Sequence, residues 1–371
     1  MSARPVQVIE PARTRVVIAG CGGTGAYVLQ SVCRLLYSIR EANAAARKAE
    51  KRRIQDSLQQ RVQATARITD PDEARQEQRE NSRIAEQARR AGSTRDLYTP
   101  EAVGYGRNWD TILDSPLGKA SPPLTNTAHE TSALAGGSLP SSVPEVVLVE
   151  GGTVSERNVL RQGYLPQDVG RNKAMVLAER YGAAYGMAIH AHAGYITEQT
   201  DFEDLVAEGS IVIGCLDNAA SRGILHKRLI GYEDLVYLDS GNGAVPMPGT
   251  GTELDQHERK RLKESGYDGQ VVAGVRKEGR TILPFPGEAF PELIEVADAD
   301  DRHPEEIPCN EVAASAPQRM VVNLMAANVV LSYLYPLLTE GALLNCNSYF
   351  DARQNYVRST PAIDELEILT A

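Results

Sequence analysis

The chain has 371 residues, 42% hydrophobic and 24% charged, with a formal net charge of -10 at neutral pH. That length buries a sizeable core, and the acidic balance argues against general nucleic-acid binding. Five scattered cysteines without a CxxC pair give no structural zinc signature, and neither a signal-peptide core nor an apolar run near 18 residues is present, so a cytoplasmic protein with no membrane association is expected.

Residues 1–14 read as a lead-in. Val16, Val17 and Ile18 form a short β-branched run, as in a buried parallel strand. The run enters Gly20-Cys21-Gly22-Gly23-Thr24-Gly25, and helix-forming residues follow from Ala26 to Leu36. Glycines at such a turn let the backbone approach an anion, and the free N–H groups of the helix start face it. Gly20, Gly22 and Gly25 also satisfy GxGxxG, so the turn alone permits a nicotinamide or flavin site as well as ATP.

From Arg40 to about Arg90 the chain is rich in Ala, Arg, Glu and Gln, and Asp70-Pro71 divides it into two candidate helices. It reads as a solvated helical hairpin, or as a partner-docking arm. From Ala91 to Pro144 Ser, Thr, Pro and Gly dominate, which predicts loop. A βαβ unit needs only about 30 residues. Residues 40–144 therefore read as an insertion within one domain spanning 15–360.

The second strand is Glu145–Glu150. A helix is expected around Asn172–Tyr185, a strand over His190–Ile196 and a helix near Asp201–Glu208. Strand Ser210–Cys215, helix Ala219–Leu229 and strand Val236–Asp239 follow. Alternating strands and helices imply an α/β, doubly wound parallel sheet. From Ala244 to Pro308 periodicity weakens, which predicts a long crossover with helix near Asp255–Lys263. Gln318–Leu338 reads as an apolar helix, and Leu343 to about Thr360 as a terminal hairpin.

Four clusters carry candidate chemistry. Glu150 closes the second strand, where an acid can accept both ribose hydroxyls of a nucleotide; it also reads as a plain strand-end carboxylate. Asn158 and Arg161, in RNVLRQ, are spaced to share one face of a helical turn and offer donors to phosphate. Lys173, in DVGRNKA, opens a helix, where its charge opposes the dipole unless an anion is present. Asp217, in Cys215-Leu216-Asp217-Asn218, stands at the carboxyl end of a strand, where it could hold magnesium or cap the following helix.

In this order the pieces resemble the ThiF/MoeB family, the adenylating fold of ubiquitin-activating E1 enzymes. The matching segments are GCGGTG, VE at Val149-Glu150, RNVLRQ, DVGRNKA, CLDN, YLDSGNG at Tyr237–Gly243 and PCNEVAASAP at Pro308–Pro317. LDSGNG, GQVVAG at Gly269–Gly274 and the late cysteine segment look most like the ThiF-type proteins of bacterial PRTRC gene clusters. The resemblance implies a Rossmann-like adenylation fold, usually homodimeric, that uses ATP and Mg2+ to activate a carboxylate. In this family that carboxylate is usually the C-terminus of a small ubiquitin-like or sulfur-carrier-like protein.

By that resemblance Gly20, Gly22, Gly23, Thr24 and Gly25 would cradle ATP phosphates. Glu150 would hold the ribose, although the family usually has Asp there. Asn158, Arg161, Lys173 and Asn218 would line the nucleotide, with Arg161 and Lys173 stabilising charge as pyrophosphate leaves. Asp217 would ligate Mg2+, and Cys309 would take the acyl group as a thioester. Besides Glu150 and the absent paired CxxC zinc motifs, two further features depart from the family pattern. Gly152 stands where a second acid is common, and no N-terminal helix supplies a clear arginine for a partner subunit. A nucleotide-binding adaptor that docks partners through the insertion is the alternative, with a nicotinamide oxidoreductase behind it.

Overall fold

A computed structural model describes residues 6–9, 14–65, 67, 69–91, 143–243, 255–295 and 318–362. The chain divides into two compact units, residues 1–36 with 144–371, and residues 37–143. Cys309, the acidic run at 298–301 and the loop 92–142 lie outside the described residues.

In chain order the strands are β1 (Val6–Gln7), β2 (Arg15–Ala19), β3 (Glu145–Val149), β4 (Ile189–His192), β5 (Ser210–Gly214), β6 (Leu235–Asn242), β7 (Asp268–Lys277), β8 (Arg280–Leu283), β9 (Ala342–Leu343), β10 (Asn345–Asp351) and β11 (Tyr356–Pro361). The helices are α1 (Gly23–Thr65), α2 (Pro71–Ala91), α3 (Glu156–Val159), α4 (Lys173–Tyr185), α5 (Phe202–Leu205), α6 (Ala219–Leu229), α7 (Gln256–Glu264), α8 (Pro286–Ala289) and α9 (Met320–Glu340).

The larger unit is built on a nine-stranded sheet of order β11-β10-β7-β6-β5-β2-β3-β4, with β8 paired to β7. Strands β6, β5, β2, β3 and β4 run parallel. Strands β7, β8, β10 and β11 extend the sheet in antiparallel fashion. The parallel part is buried on both faces, which is why its strands read as continuous aliphatic runs. Val17, Ala19, Val147, Val149, Val212 and Tyr237 form one face with Leu225 and Leu229 of α6 and Phe202 and Leu205 of α5. Their alternates Val16, Ile18, Val146, Leu148, Ile211 and Ile213 are equally buried on the other face.

The chain proceeds from β2 outward to β3 and β4, then returns to β5 on the other side of β2 and continues to β6. The reversal leaves a crevice between the carboxyl ends of β2 and β5, the place where open α/β sheets bind ligands.

Three expectations needed correction. The segment after Ala244 is not a plain crossover, because it contributes β7 and β8. Glycines in β7 hid it. A Cβ at Gly274 would lie 2.5 Å from Phe285 Cα, and one at Gly269 would lie 2.8 Å from Phe350 Cε2, so aromatic neighbours occupy the space. The first helix does not end near residue 40. No Gly or Pro interrupts the sequence from Ala26 to Asp70, and α1 continues to Thr65.

The third correction concerns α9, which is long and apolar enough by length and composition to cross a membrane. It packs on β6, β7 and β10, with 61% of that stretch buried, so its apolar character belongs to the core. Within the smaller unit, Arg61 near the end of α1 donates to Asn81 Oδ1 and Glu77 Oε1 of α2, both at 2.6 Å, and Asn81 Nδ2 donates to Thr65 Oγ1. These bonds close a helical hairpin.

Candidate functional site

The crevice is lined first by the glycine turn. Gly20 has φ +92°, a conformation that favours glycine, and a Cβ there would lie 2.6 Å from the Cys215 carbonyl oxygen. A Cβ at Gly25 would strike the Gly20 carbonyl. These glycines let the turn pass close to the β5 loop and enter α1 tightly. Cys215 N–H donates to Ala19 O at 2.7 Å and Gly20 N–H to Val149 O at 2.9 Å, so the loops continue the strand register beyond the sheet.

Glu150 binds the turn to the β3 loop. Its Oε2 accepts from Cys21 N–H at 2.8 Å and its Oε1 from Gly152 N–H at 2.7 Å. A carboxylate has about four lone-pair sites, so acceptor capacity remains. Gly152 is needed for this arrangement, since a Cβ there would lie 2.9 Å from Glu150 Oε1. Tyr164, itself buried, donates to Cys21 O at 2.5 Å and fixes the turn from the opposite side. Burial pushes the Tyr164 phenol up, and the Cys21 thiol well up, so both stay protonated at neutral pH.

The segments around Asn158 and Lys173 are held together below this turn. Asn172 caps α4, accepting from Met175 N–H, and its Nδ2 donates to Glu150 O at 2.9 Å. Lys173 N–H donates to Gly152 O at 3.0 Å. The Lys173 ammonium is thereby brought to the glycine at 152, where a Cβ would lie 3.6 Å from Nζ. Buried Asp168 accepts from Leu165 N–H and pairs with Arg180, whose Nη1 also donates to Gly163 O. Asp168 therefore shapes the loop. Asn158 is buried, and its Oδ1 accepts from Ser155 N–H at 2.8 Å.

Arg161 follows α3. Its Nε is buried and has no hydrogen-bond partner among the described residues. Burial lowers its pKa, Arg157 lowers it further, and Asp217 opposes the shift. Among the described residues the guanidinium therefore holds an unsatisfied donor. Asp217 itself is exposed at the end of β5. The helix cap is Asn218, whose Oδ1 accepts from Ser221 N–H at 2.8 Å, which leaves the Asp217 carboxylate outside the helix hydrogen bonds. Among the described residues no group of three or more His, Cys, Asp or Glu side chains could hold a metal. A single exposed carboxylate fits a magnesium ion shared with phosphates, because that ion takes one or two protein oxygens and keeps its remaining positions for phosphate and water.

Two groupings went unnoticed in the sequence. Behind Asp217, Arg222 donates to Leu216 O at 2.7 Å and pairs at 3.6 Å with buried Asp239, which also accepts from Tyr237. Beneath the glycine turn, Thr24, Asn242 and Asn323 hydrogen-bond to one another. Asn323 could have been noticed as a buried amide in an otherwise aliphatic helix.

The structure brings the glycine turn, Glu150, Gly152 and Lys173 together, and sets Asp217 in the loop that follows β5. It directs the side chains of Thr24 and Asn218 to internal bonds. The glycine turn's backbone N–H groups, the Lys173 ammonium and the exposed Asp217 carboxylate, which accepts only a long bond from Asn218 Nδ2 at 3.4 Å among the described residues, suit a polyphosphate with a divalent cation.

A parallel sheet with this switch-point mouth and an antiparallel extension defines the Rossmann-like adenylation class. The ThiF family model matches residues 139–358, which is 220 of 371 positions, and the chain belongs to the ThiF family. The match begins at residue 139, far along the chain from the glycine turn at 20–25, so that turn joins the matched region through folding and not through sequence adjacency. No curated protein sequence matches the chain.

Among solved structures, E. coli MccB with AMPCPP and MccA is similar at 12% identity and a TM-score of 0.43, covering 94% of this chain and 63% of that one. E. coli MccB with ATP gives 12% and 0.41, with 95% and 65% covered. PaaA gives 17% and 0.37, with 60% and 58% covered. The chain thus spans about three-fifths of the length of these proteins.

Proposed function

We propose that the protein is an ATP-dependent adenylyltransferase. The carboxylate it activates is the C-terminus of a protein or peptide, with a small ubiquitin-like or sulfur-carrier-like protein as the preferred acceptor class. The observation that carries this reading is Arg161. Its buried Nε lacks a partner among the described residues, and Asp217 is an opposite charge acting on its guanidinium. A redox dinucleotide offers the cation a pyrophosphate but gives an exposed carboxylate no metal to hold, whereas a nucleoside triphosphate with its metal gives both a task.

In this mechanism the glycine-turn N–H groups receive phosphate, and Glu150 spends its remaining acceptor capacity on the ribose. Magnesium, held by Asp217, supplies charge neutralisation on the phosphates when bound. The acceptor carboxylate oxygen attacks the α-phosphorus. The bond from that phosphorus to the bridging oxygen breaks, and pyrophosphate leaves with the electron pair. Arg161 and Lys173 stabilise the charge growing on the leaving group, and Asn158 lines the site. Positioning and fixed positive charge supply the catalysis, and no proton transfer is required. In a second step the Cys309 thiol attacks the acyl carbonyl, AMP departs and the thiol proton passes to water. A second copy of the chain is the expected partner, and the narrower placement among PRTRC-cluster ThiF proteins belongs to the same reading.

ATP–pyrophosphate exchange with a panel of acceptor proteins tests the proposal. Acceptor-dependent exchange is expected. Measurable ATP binding without exchange for any acceptor would replace it with the adaptor reading.

A further inference from the structure

We infer that Asn323 and Asn242 are positioning residues for the phosphate-facing turn, acting through Thr24 and Gly23. The ligand in this inference rests on the nucleotide reading above, but its structural half can be tested without it.

Asn323 lies in the first turn of α9 and is 1% exposed. Its neighbours in that helix are aliphatic, so a buried amide there is unfavourable unless its polar atoms are paired. The pairing it finds leads to the glycine turn. Asn323 Oδ1 accepts from Asn242 Nδ2 at 2.9 Å and from Thr24 Oγ1 at 3.3 Å. Asn242 Nδ2 also donates to Thr24 Oγ1 at 2.7 Å. The three residues come from α1, β6 and α9, with Thr24 separated by 218 positions from Asn242 and by 299 from Asn323.

The same carboxamide packs against Gly23. A Cβ there would lie 2.6 Å from Asn323 Cγ and 3.0 Å from Oδ1. Gly23 must therefore be glycine because Asn323 occupies the space, not because of an unusual φ. The start of α1 is fixed twice, by hydrogen bonds to Thr24 and by steric contact at Gly23. The direction of the N–H groups at Gly22–Gly25 follows from those constraints, and those groups are what an anion at this helix start would meet.

Among the described residues the network also leaves Asn242 Oδ1 buried without a donor. Buried polar groups are ordinarily satisfied, and a half-satisfied network is inferior to apolar packing for stability alone. What the trio supplies in exchange is a defined register for the turn.

The test uses the full-length protein with three readouts: ATP affinity by equilibrium dialysis, amide hydrogen exchange of peptides covering 20–26 without nucleotide, and thermal unfolding as a fold control. Thr24→Val and Asn323→Ala should each weaken ATP binding roughly tenfold, equivalent to about 1.4 kcal/mol, and the double variant should lose little more than either alone. Thr24→Ser, which keeps the hydroxyl, should bind like wild type. Gly23→Ala should lose affinity, and adding Asn323→Gly, which removes the carboxamide, should restore it to within about threefold of Asn323→Gly alone. Without nucleotide, exchange over 20–26 should accelerate in Asn323→Ala while peptides of β3 and β5 are unchanged.

Unchanged affinity and exchange in both single variants, strictly additive losses, or no rescue of Gly23→Ala would each overturn the inference. Should Asn323→Ala fail to fold, the contrast between Thr24→Val and Thr24→Ser decides. A wild type that binds no ATP, yet shows the exchange response, would refute the nucleotide reading while supporting the positioning geometry.

Discussion

Replacing Glu150 by Gln tests how the crevice mouth is assembled. The carboxylate accepts two backbone N–H bonds at 2.8 and 2.7 Å, one from the glycine turn and one from the β3 loop. Hydrogen bonds to a charged group contribute about 1.5–3 kcal/mol each, and neutral ones about 0.5–1.5. Gln has a single acceptor oxygen. It can keep one bond in neutral form, but it then presents its NH2 to the other N–H and leaves that donor unsatisfied. Both bonds are partly buried, so water recovers some of the loss, and a net destabilisation of about 2 kcal/mol is expected.

For a domain of this size each kcal/mol lowers Tm by roughly 2–4 °C, so Glu150→Gln should unfold about 4–8 °C below wild type. Glu150→Asp, one methylene shorter, should lose the longer reach to Cys21 and fall between the two. Scanning calorimetry with and without ATP and Mg2+ measures both effects, because the loosened turn should also reduce the stabilisation by nucleotide. A Gln variant whose Tm and nucleotide-induced shift match wild type would show that these two bonds do not hold the turn.

Other outcomes follow from the same geometry. Arg161→Ala and Lys173→Ala should abolish pyrophosphate exchange while leaving Tm near wild type, since neither side chain forms an ion pair among the described residues; retained exchange would show that the charge has another source. His226 is buried, and its Nδ1 has no partner among the described residues; burial lowers its pKa, with Glu288 opposing. The folded state therefore prefers the neutral ring, while the unfolded chain takes up a proton near pH 6.5. Its contribution is intact above that pH and is lost as pH falls toward the lower folded value. Urea midpoints should fall more steeply from pH 7.5 to 5 for wild type than for His226→Gln, and parallel curves would refute the assignment. Burial raises Cys21 and Cys215, and lifts Cys33 to about 12, so iodoacetamide at pH 7.5 should modify these three only after unfolding; mass mapping of native labelling at any of them would contradict the packing.

The parallel half of the fold was legible because its strands, buried on both faces, must be continuous aliphatic runs, and because Asn172 and Gly186 bracket α4 with ordinary cap chemistry. The antiparallel half was hidden by glycines at 269 and 274, whose meaning depends on Phe350 and Phe285 lying against them. In the candidate site, the residues nameable from sequence are those that carry their own chemical signature, such as the glycine turn, Arg161, Lys173 and Asp217. The site was illegible wherever the meaning lies in a pair, as with Asn323 over Gly23.

Glu150 and Gly152 show this most clearly. As separate positions they read as two departures, a Glu where the family usually has Asp and a missing second acid. In the folded chain they are one arrangement. The longer side chain reaches back to Cys21 N–H, its other oxygen takes Gly152 N–H, and a side chain at 152 would crowd that oxygen at 2.9 Å. Lys173 Nζ, 3.6 Å from the same Cβ position, would be the natural neighbour of an acid there. With glycine in place that ammonium forms no ion pair among the described residues. Gly152→Asp should accordingly displace Glu150 from the turn and neutralise Lys173 together, so that ATP affinity falls more than in Lys173→Ala; an Asp variant that binds ATP as tightly as wild type would show that the two positions are independent.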